Sequence, residues 1–298
     1  MIAIGIGDFT RIETWDGTIY TCRLFGPGRA MQQIRHIVAI ASGKGGVGKS
    51  TTAVNLALAL QACGARVGLL DADIYGPSVA LMLGVADGTR PQTKDGQYLL
   101  PVRAHGLASM SMAYLANDRT PMVWRGPMAG GALVQMLEQT LWGELDYLLI
   151  DMPPGTGDIQ LTLSQKAALA GAVIVTTPQD LALLDARKGI EMFRKVSVPV
   201  LGVIENMAMH TCSQCGHTES IFGTDGGERI AEEYGVDLLA SLPLERGIRE
   251  ATDAGTPPMV SQSASPAALA YAAAAAALAE RLDGAAPAEF PTISISDD

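Results

Sequence analysis

The chain has 298 residues, a net charge of −10, 48% apolar residues and 5% aromatic ones. The length allows one large α/β domain or two smaller ones, and the composition suits a globular protein with an aliphatic core. The acidic balance excludes a broad basic surface of the kind that holds nucleic acid or anionic lipid, so neither partner is expected, although a local nucleotide site remains possible.

In chain order, residues 1–35 read as a poorly defined N-terminal extension with one hairpin signal at Asp16-Gly17. Met1–Gly7 is too short, and lacks the basic start, for a signal peptide. From His36 the pattern changes. His36–Ala41, Arg66–Asp71, Tyr147–Asp151, Ala172–Thr176 and Val200–Glu205 are short aliphatic runs separated by helical stretches. Continuous apolar runs of this kind predict strands buried on both faces. The expected fold is therefore an α/β, doubly wound, mostly parallel sheet flanked by helices, spanning 36–283. Residues 86–128, rich in Gly, Pro and Met, read as an insertion carrying a hairpin and a helix. Ala267–Ala279 falls short of the roughly 20 residues of a membrane span. It reads instead as a helix with Ser265 as N-cap, Pro266 as first residue and Asp283-Gly284 as stop. Residues 284–298 read as a disordered acidic tail.

The strongest local pattern is Gly43-Lys44-Gly45-Gly46-Val47-Gly48-Lys49-Ser50, which matches G-x-x-x-x-G-K-[ST]. It follows a predicted strand and precedes a helix predicted from Thr51, the context a phosphate loop requires. Glycines let backbone N–H groups close around phosphate oxygens, and the helix N-terminus adds partial positive charge. Lys49 would reach the β- and γ-phosphates of ATP, Ser50 would offer its hydroxyl to Mg²⁺, and Thr51 lies within reach of the α-phosphate. Lys44 is unusual. It is either a solvated loop lysine or a charge that crosses a dimer interface to the partner's nucleotide.

Asp71 and Asp73 end the second aliphatic run, and Asp151 ends the third. Strand-end carboxylates at this edge can hold a metal or orient an attacking water. Asp151 reads as the Mg²⁺-holding residue, with the stiff Met152–Gly157 loop behind it as a switch that senses the γ-phosphate. One of Asp71 and Asp73 could instead cap the following turn. Asp158 could contact the metal or cap a helix.

Cys212 and Cys215 form a C-x-x-C pair directly after the Val200–Glu205 run. Four cysteines in a chain of this size, with no secretory signal, suggest a reducing, cytoplasmic setting. Two thiolates hold half of a four-ligand centre, so a two-fold dimer would complete either an iron–sulfur cluster or a zinc site. A redox dithiol is the remaining alternative. His210 and His217 are possible zinc ligands but read more simply as surface residues. Cys63 is expected in the core, and Cys22 carries no assignment.

The loop with two lysines resembles the deviant Walker A class of ATPases. That resemblance implies a nucleotide-sandwich homodimer in which Lys44 acts in trans, Asp73 orients the hydrolytic water, and Asn206 contacts adenine. Ser42–Thr52, Leu70–Ser78, Trp124–Met128, Asp151–Asp158, Glu205–Met207 and Cys212/Cys215 together narrow it to the Mrp/ApbC family, over about residues 36–282. This implies an ATPase that holds a [4Fe–4S] cluster between subunits, receives it from an upstream scaffold and passes it to apo iron–sulfur proteins. A Min/Par-like positioning ATPase and a zinc-bridged ATPase switch are the alternatives. Two departures stand out. The family often has proline after the first cysteine, where this chain has Ser213-Gln214. Residues 1–35 are also shorter than the N-terminal domain many bacterial members carry.

Overall fold

Five aliphatic runs became the middle of one sheet. The computed structural model describes residues 33–115 and 126–283, with the backbone alone for 2–6, 9–13, 19–23 and 126–129. The central strands are β4 (Ile34–Ala41), β5 (Val67–Asp71), β10 (Leu145–Asp151), β11 (Leu169–Thr176) and β12 (Val200–Glu205). Strands β8 (Val102–Ala104), β9 (Leu107–Ser111) and β15 (Leu238–Ser241) extend this sheet. It has eight strands in the order β15-β12-β11-β4-β10-β5-β9-β8, parallel except where β8 meets β9.

Each central strand is apolar throughout because both faces are covered. Ile37, Ala39 and Ala41 face one core with Leu133, Ile190 and Phe193. Their neighbours Val38 and Ile40 face the other, with Leu56, Leu60 and Tyr271. The first core lies under α3 (Gly126–Gln139), α4 (Asp158–Lys166) and α5 (Asp180–Lys195), and the second under α1 (Lys49–Ala62) and α9 (Pro266–Asp283). Covering both faces removes the polar alternation of a one-sided sheet.

Helix α9 begins as its N-cap predicts: the Ala268 amide donates to Ser265 Oγ at 3.2 Å, and Pro266 opens the first turn. The stop at Gly284 lies outside the described residues.

The 86–128 segment departs from its reading. A hairpin is present between β6 (Thr93–Lys94) and β7 (Tyr98–Leu99). Beyond it, however, Leu107–Ser111 joins the main sheet parallel to β5, fully buried. Its Leu-Ala-Ser-Met-Ser sequence has no β-branched residue, so it carried no strand signal; burial beside β5 decides it. Cys63 also departs from expectation. It is exposed, because it caps the C-terminal end of α1 instead of lying along its buried face.

Near the N-terminus, β1 (Ile2–Ile6), β2 (Phe9–Glu13) and β3 (Ile19–Arg23) form an antiparallel sheet of their own, with β2 and β3 paired on either side of Asp16-Gly17. The 284–298 tail lies outside the described residues.

Candidate nucleotide and thiolate site

The loop between β4 and α1 turns at Gly46 (φ 83°) and Gly48 (φ 80°), both in the left-handed region that glycine occupies without strain. A β-carbon on Gly43 would fall 1.9 Å from the carbonyl oxygen of Asp185 in α5, so only glycine lets the loop lie this close. Val47 is buried and pins the loop, and Ser42 Oγ donates to the Lys44 carbonyl at 2.8 Å. The helix starts at Lys49, two residues before the sequence suggested. Lys49, Ser50 and Thr51 thus form its first turn, where backbone N–H groups have no helical acceptor and suit an anion. A cavity of about 220 Å³ opens here, lined by Lys44, Lys49, Ser50, Thr51, Asp73 and Pro154 among others.

Strand register places the acids. Asp151 pairs with Ile40 on one side and Asp71 on the other, so both carboxylates sit at the same edge of the sheet. Lys49 Nζ reaches Asp151 Oδ1 at 2.5 Å and Ser50 Oγ at 3.3 Å, and both Lys49 and Asp151 are buried. Asp151 Oδ2 is buried without a hydrogen-bond partner. Burial raises the Asp151 carboxyl above the ordinary range against the pull of Lys49. An orphan carboxylate oxygen beside a hydroxyl is a hard-oxygen donor set that fits Mg²⁺. When bound there, the ion would neutralise phosphate charge, with Asp151 and Ser50 as its holders.

Asp71 and Asp73 divide the two roles their positions left open. Asp71 is fully buried and its oxygens are committed. Oδ1 accepts from the Asp73 amide, and Oδ2 from the Ser78 and Val79 amides and Ser111 Oγ, all at 3.0–3.1 Å. It therefore ties down the 72–79 loop at the start of α2 (Val79–Met82) instead of facing a metal. Burial first, and then the Asp151 charge, push its pKa up to about 7, while those donors pull it down. Asp73 is half-buried, accepts from the Gly76 amide at 3.1 Å and lines the cavity. Ser111 was missed because no spacing rule links it to residue 71.

Behind Asp151, the Gly155 amide donates to the Ser42 carbonyl at 3.1 Å, and the buried Gln160 side-chain amide donates to the Pro153 carbonyl. The 152–157 loop is thereby joined to the phosphate loop and to α4. Asp158 is the exposed first residue of α4, preceded by Gly157 at the cap. Asn206 is buried at the end of β12; its Nδ2 donates to the Val47 carbonyl at 2.9 Å and its Oδ1 accepts from the Met207 amide at 2.9 Å. It touches the phosphate loop directly.

Cys212 and Cys215 lie in the turn between β13 (His210–Thr211) and β14 (Thr218–Glu219). The Cys212 amide donates to the His217 carbonyl and the Gly216 amide to the Cys212 carbonyl, at 2.8 and 2.9 Å, with Gly216 at φ 74°. Donors from the Gln214 and Cys215 amides, and then the Cys215 thiol, hold the Cys212 thiol below its usual range. Ser213-Gln214 thus forms the knuckle without proline. Amides aimed at a sulfur favour the thiolate, the form that binds soft metals. Among the described residues no group of three or more metal-binding side chains forms, so one chain supplies two thiolates here. His210 Nδ1 lies 3.0 Å from the Leu244 carbonyl, which employs that nitrogen as a donor; His217 is exposed.

A family model described as ParA: NUBPL iron-transfer P-loop NTPase matches residues 33–279. The iron–sulfur cluster carrier protein of Pseudomonas fragi is 65% identical over 245 residues, covering 82% of this chain and 85% of that protein. The protein of the same description from Escherichia coli K12 is 61% identical over 232 residues, covering 78% of this chain but 63% of its own length. Among solved structures, the nucleotide-binding protein of Archaeoglobus fulgidus in complex with ADP superposes with a TM-score of 0.70 at 36% identity, over 81% of this chain and 93% of that one.

Proposed function

We propose a function that proceeds from one fact: this chain belongs to the NUBPL iron-transfer P-loop NTPase family, a family of nucleotide-hydrolysing enzymes. The protein is an ATP-dependent carrier that holds a [4Fe–4S] cluster between two subunits and delivers it to apo-proteins after loading from a scaffold. The Cys212/Cys215 knuckle, with Cys212 half-buried and Cys215 exposed, carries this reading. Two cysteines per chain, held in one turn, are half of a cluster's ligands, and a two-fold axis supplies the rest.

In this proposal the backbone amides of residues 43–51 and Lys49 bind the ATP phosphates, Lys44 reaches the partner's nucleotide, and Asn206 reads adenine. Asp73 faces the cavity, where it orients the attacking water; Asp71 keeps the Asp73 loop in place. Asp151 and Ser50 hold Mg²⁺. The ATPase body at 36–283, an extension at 1–35 and an acidic tail at 284–298 make up the chain in this proposal. No helix among the described residues is long and apolar enough to cross a membrane, and a cytoplasmic location is part of the proposal.

The test is anaerobic reconstitution. Cys212→Ala and Cys215→Ala are each expected to lose the brown absorption and the bound iron while still hydrolysing ATP. Full iron content in both variants would place the cluster elsewhere. Zinc in place of iron in anaerobically purified protein would favour the zinc-bridged switch.

A further inference from the structure

The segment joining the phosphate loop to the cysteine turn is braced along its length, and we infer that it transmits nucleotide occupancy to the thiolate pair. This rests on the nucleotide and thiolate sites proposed above.

At its start, Asn206 bridges two elements: one amide hydrogen goes to the Val47 carbonyl, and Oδ1 accepts from Met207. A β-carbon on Gly48 would fall 2.1 Å from Asn206 Nδ2, so loop and amide are packed too closely to move independently. Met207 follows at φ 57°, a left-handed conformation that L-residues other than asparagine and aspartate rarely adopt. Its amide is held there by Asn206. Any nucleotide contact that shifts Val47–Gly48, or recruits the Asn206 amide, acts on this one residue.

Beyond Met207 the chain is a strut. The Ala208 amide donates to the Leu242 carbonyl at 2.9 Å, the Leu244 amide to the Met209 carbonyl at 2.8 Å, and His210 Nδ1 to the Leu244 carbonyl at 3.0 Å. Thr211 Oγ1 and Thr218 Oγ1 meet at 2.9 Å across the hairpin, immediately before Cys212. A displacement at Met207 therefore reaches the cysteine turn instead of dissipating in a slack loop. Coupling of this kind needs an element with two arrangements that one site biases and the other senses. Met207 is that element: its backbone can leave the left-handed region once Asn206 releases its amide.

The test uses full-length, metal-free, reduced protein. Iodoacetamide alkylation of Cys212, Cys215 and Cys63 is followed peptide by peptide, with and without a saturating non-hydrolysable ATP analogue. In the wild type the nucleotide is expected to change the Cys212 and Cys215 rates about fivefold, within the usual range of coupling between sites, and to leave Cys63 unchanged. Met207→Gly frees the backbone and His210→Ala removes the strut's last brace. Both are expected to abolish that response while binding the analogue with wild-type affinity, titrated in the same samples. No response in the wild type, a full response in either variant, or loss of response only through loss of nucleotide binding overturns the inference. Iron loading is scored separately: wild-type protein that takes up no iron refutes the carrier reading while leaving the thiol response measurable.

Discussion

Lys49 and Asp151 show how far a single residue can be read in isolation. The phosphate-loop pattern identifies Lys49, and the strand-end position identifies Asp151. Their 2.5 Å contact depends on the register of β10 against β4, which no local pattern specifies. His36 is a similar case on the opposite edge of the sheet. It stacks on Tyr147 with ring centroids 5.7 Å apart, and its buried Nε2 has no hydrogen-bond partner. Burial, followed by the Arg35 charge, lowers its pKa. A base whose folded pKa is depressed takes up fewer protons folded than unfolded. Its contribution to stability is complete above the unfolded value and is lost as pH falls through the folded one. Asp71, whose carboxyl pKa is raised to about 7, takes up its proton in the folded state over the same range and acts in the opposite sense. The histidine is therefore read as a difference: relative to wild type, the Tm of nucleotide-free His36→Phe is expected to rise as pH falls from about 7.5 to 5.5. Thermal melts of the two proteins that stay parallel across the range would remove His36 as the cause.

At the scale of elements, local chemistry fixed the phosphate loop and the start of α9 almost completely. Glycine spacing sets the loop's turn, and Ser265-Pro266 sets the helix start. The loop's glycines are not equivalent. An added β-carbon at Gly43 meets the α5 backbone at 1.9 Å, whereas at Gly45 its nearest neighbour is Pro154 Cβ at 3.9 Å, with no left-handed φ to strain. Gly43→Ala is expected to destabilise the nucleotide-free protein by more than about 1 kcal/mol, while Gly45→Ala stays within about 0.5 kcal/mol. Urea unfolding of both variants would separate them, and equal midpoints would mean that α5 gives way to the loop. Strand β9 and the buried Ser111 beside Asp71 were not legible at this scale. Their signal is the neighbour they pack against, and that neighbour is 40 residues away.

For the whole molecule, the proposed dimer links the two ends of the site. Lys44 is half-buried at the mouth of the cavity, where a lysine from a second copy could reach the phosphates. With Asp73 orienting the attacking water as proposed, Asp73→Asn is expected to slow hydrolysis and to be trapped by ATP as a dimer in light scattering. Adding Lys44→Ala to it should leave monomers. Dimers that persist would assign Lys44 to its own subunit.

The sequence by itself determined the chemistry: a phosphate loop with two lysines, strand-end acids, a C-x-x-C pair, and the parallel α/β class. These are carried by residue types at short spacings, where backbone geometry links neighbours directly. Tertiary structure alone decided how that chemistry is divided. It committed Asp71 to the loop and left Asp73 facing the cavity; it left one oxygen of Asp151 without a partner, exposed Cys63, and braced the segment from Asn206 to Cys212. Each of these depends on strand order and register, which are set by packing across the whole sheet and not by the few residues on either side.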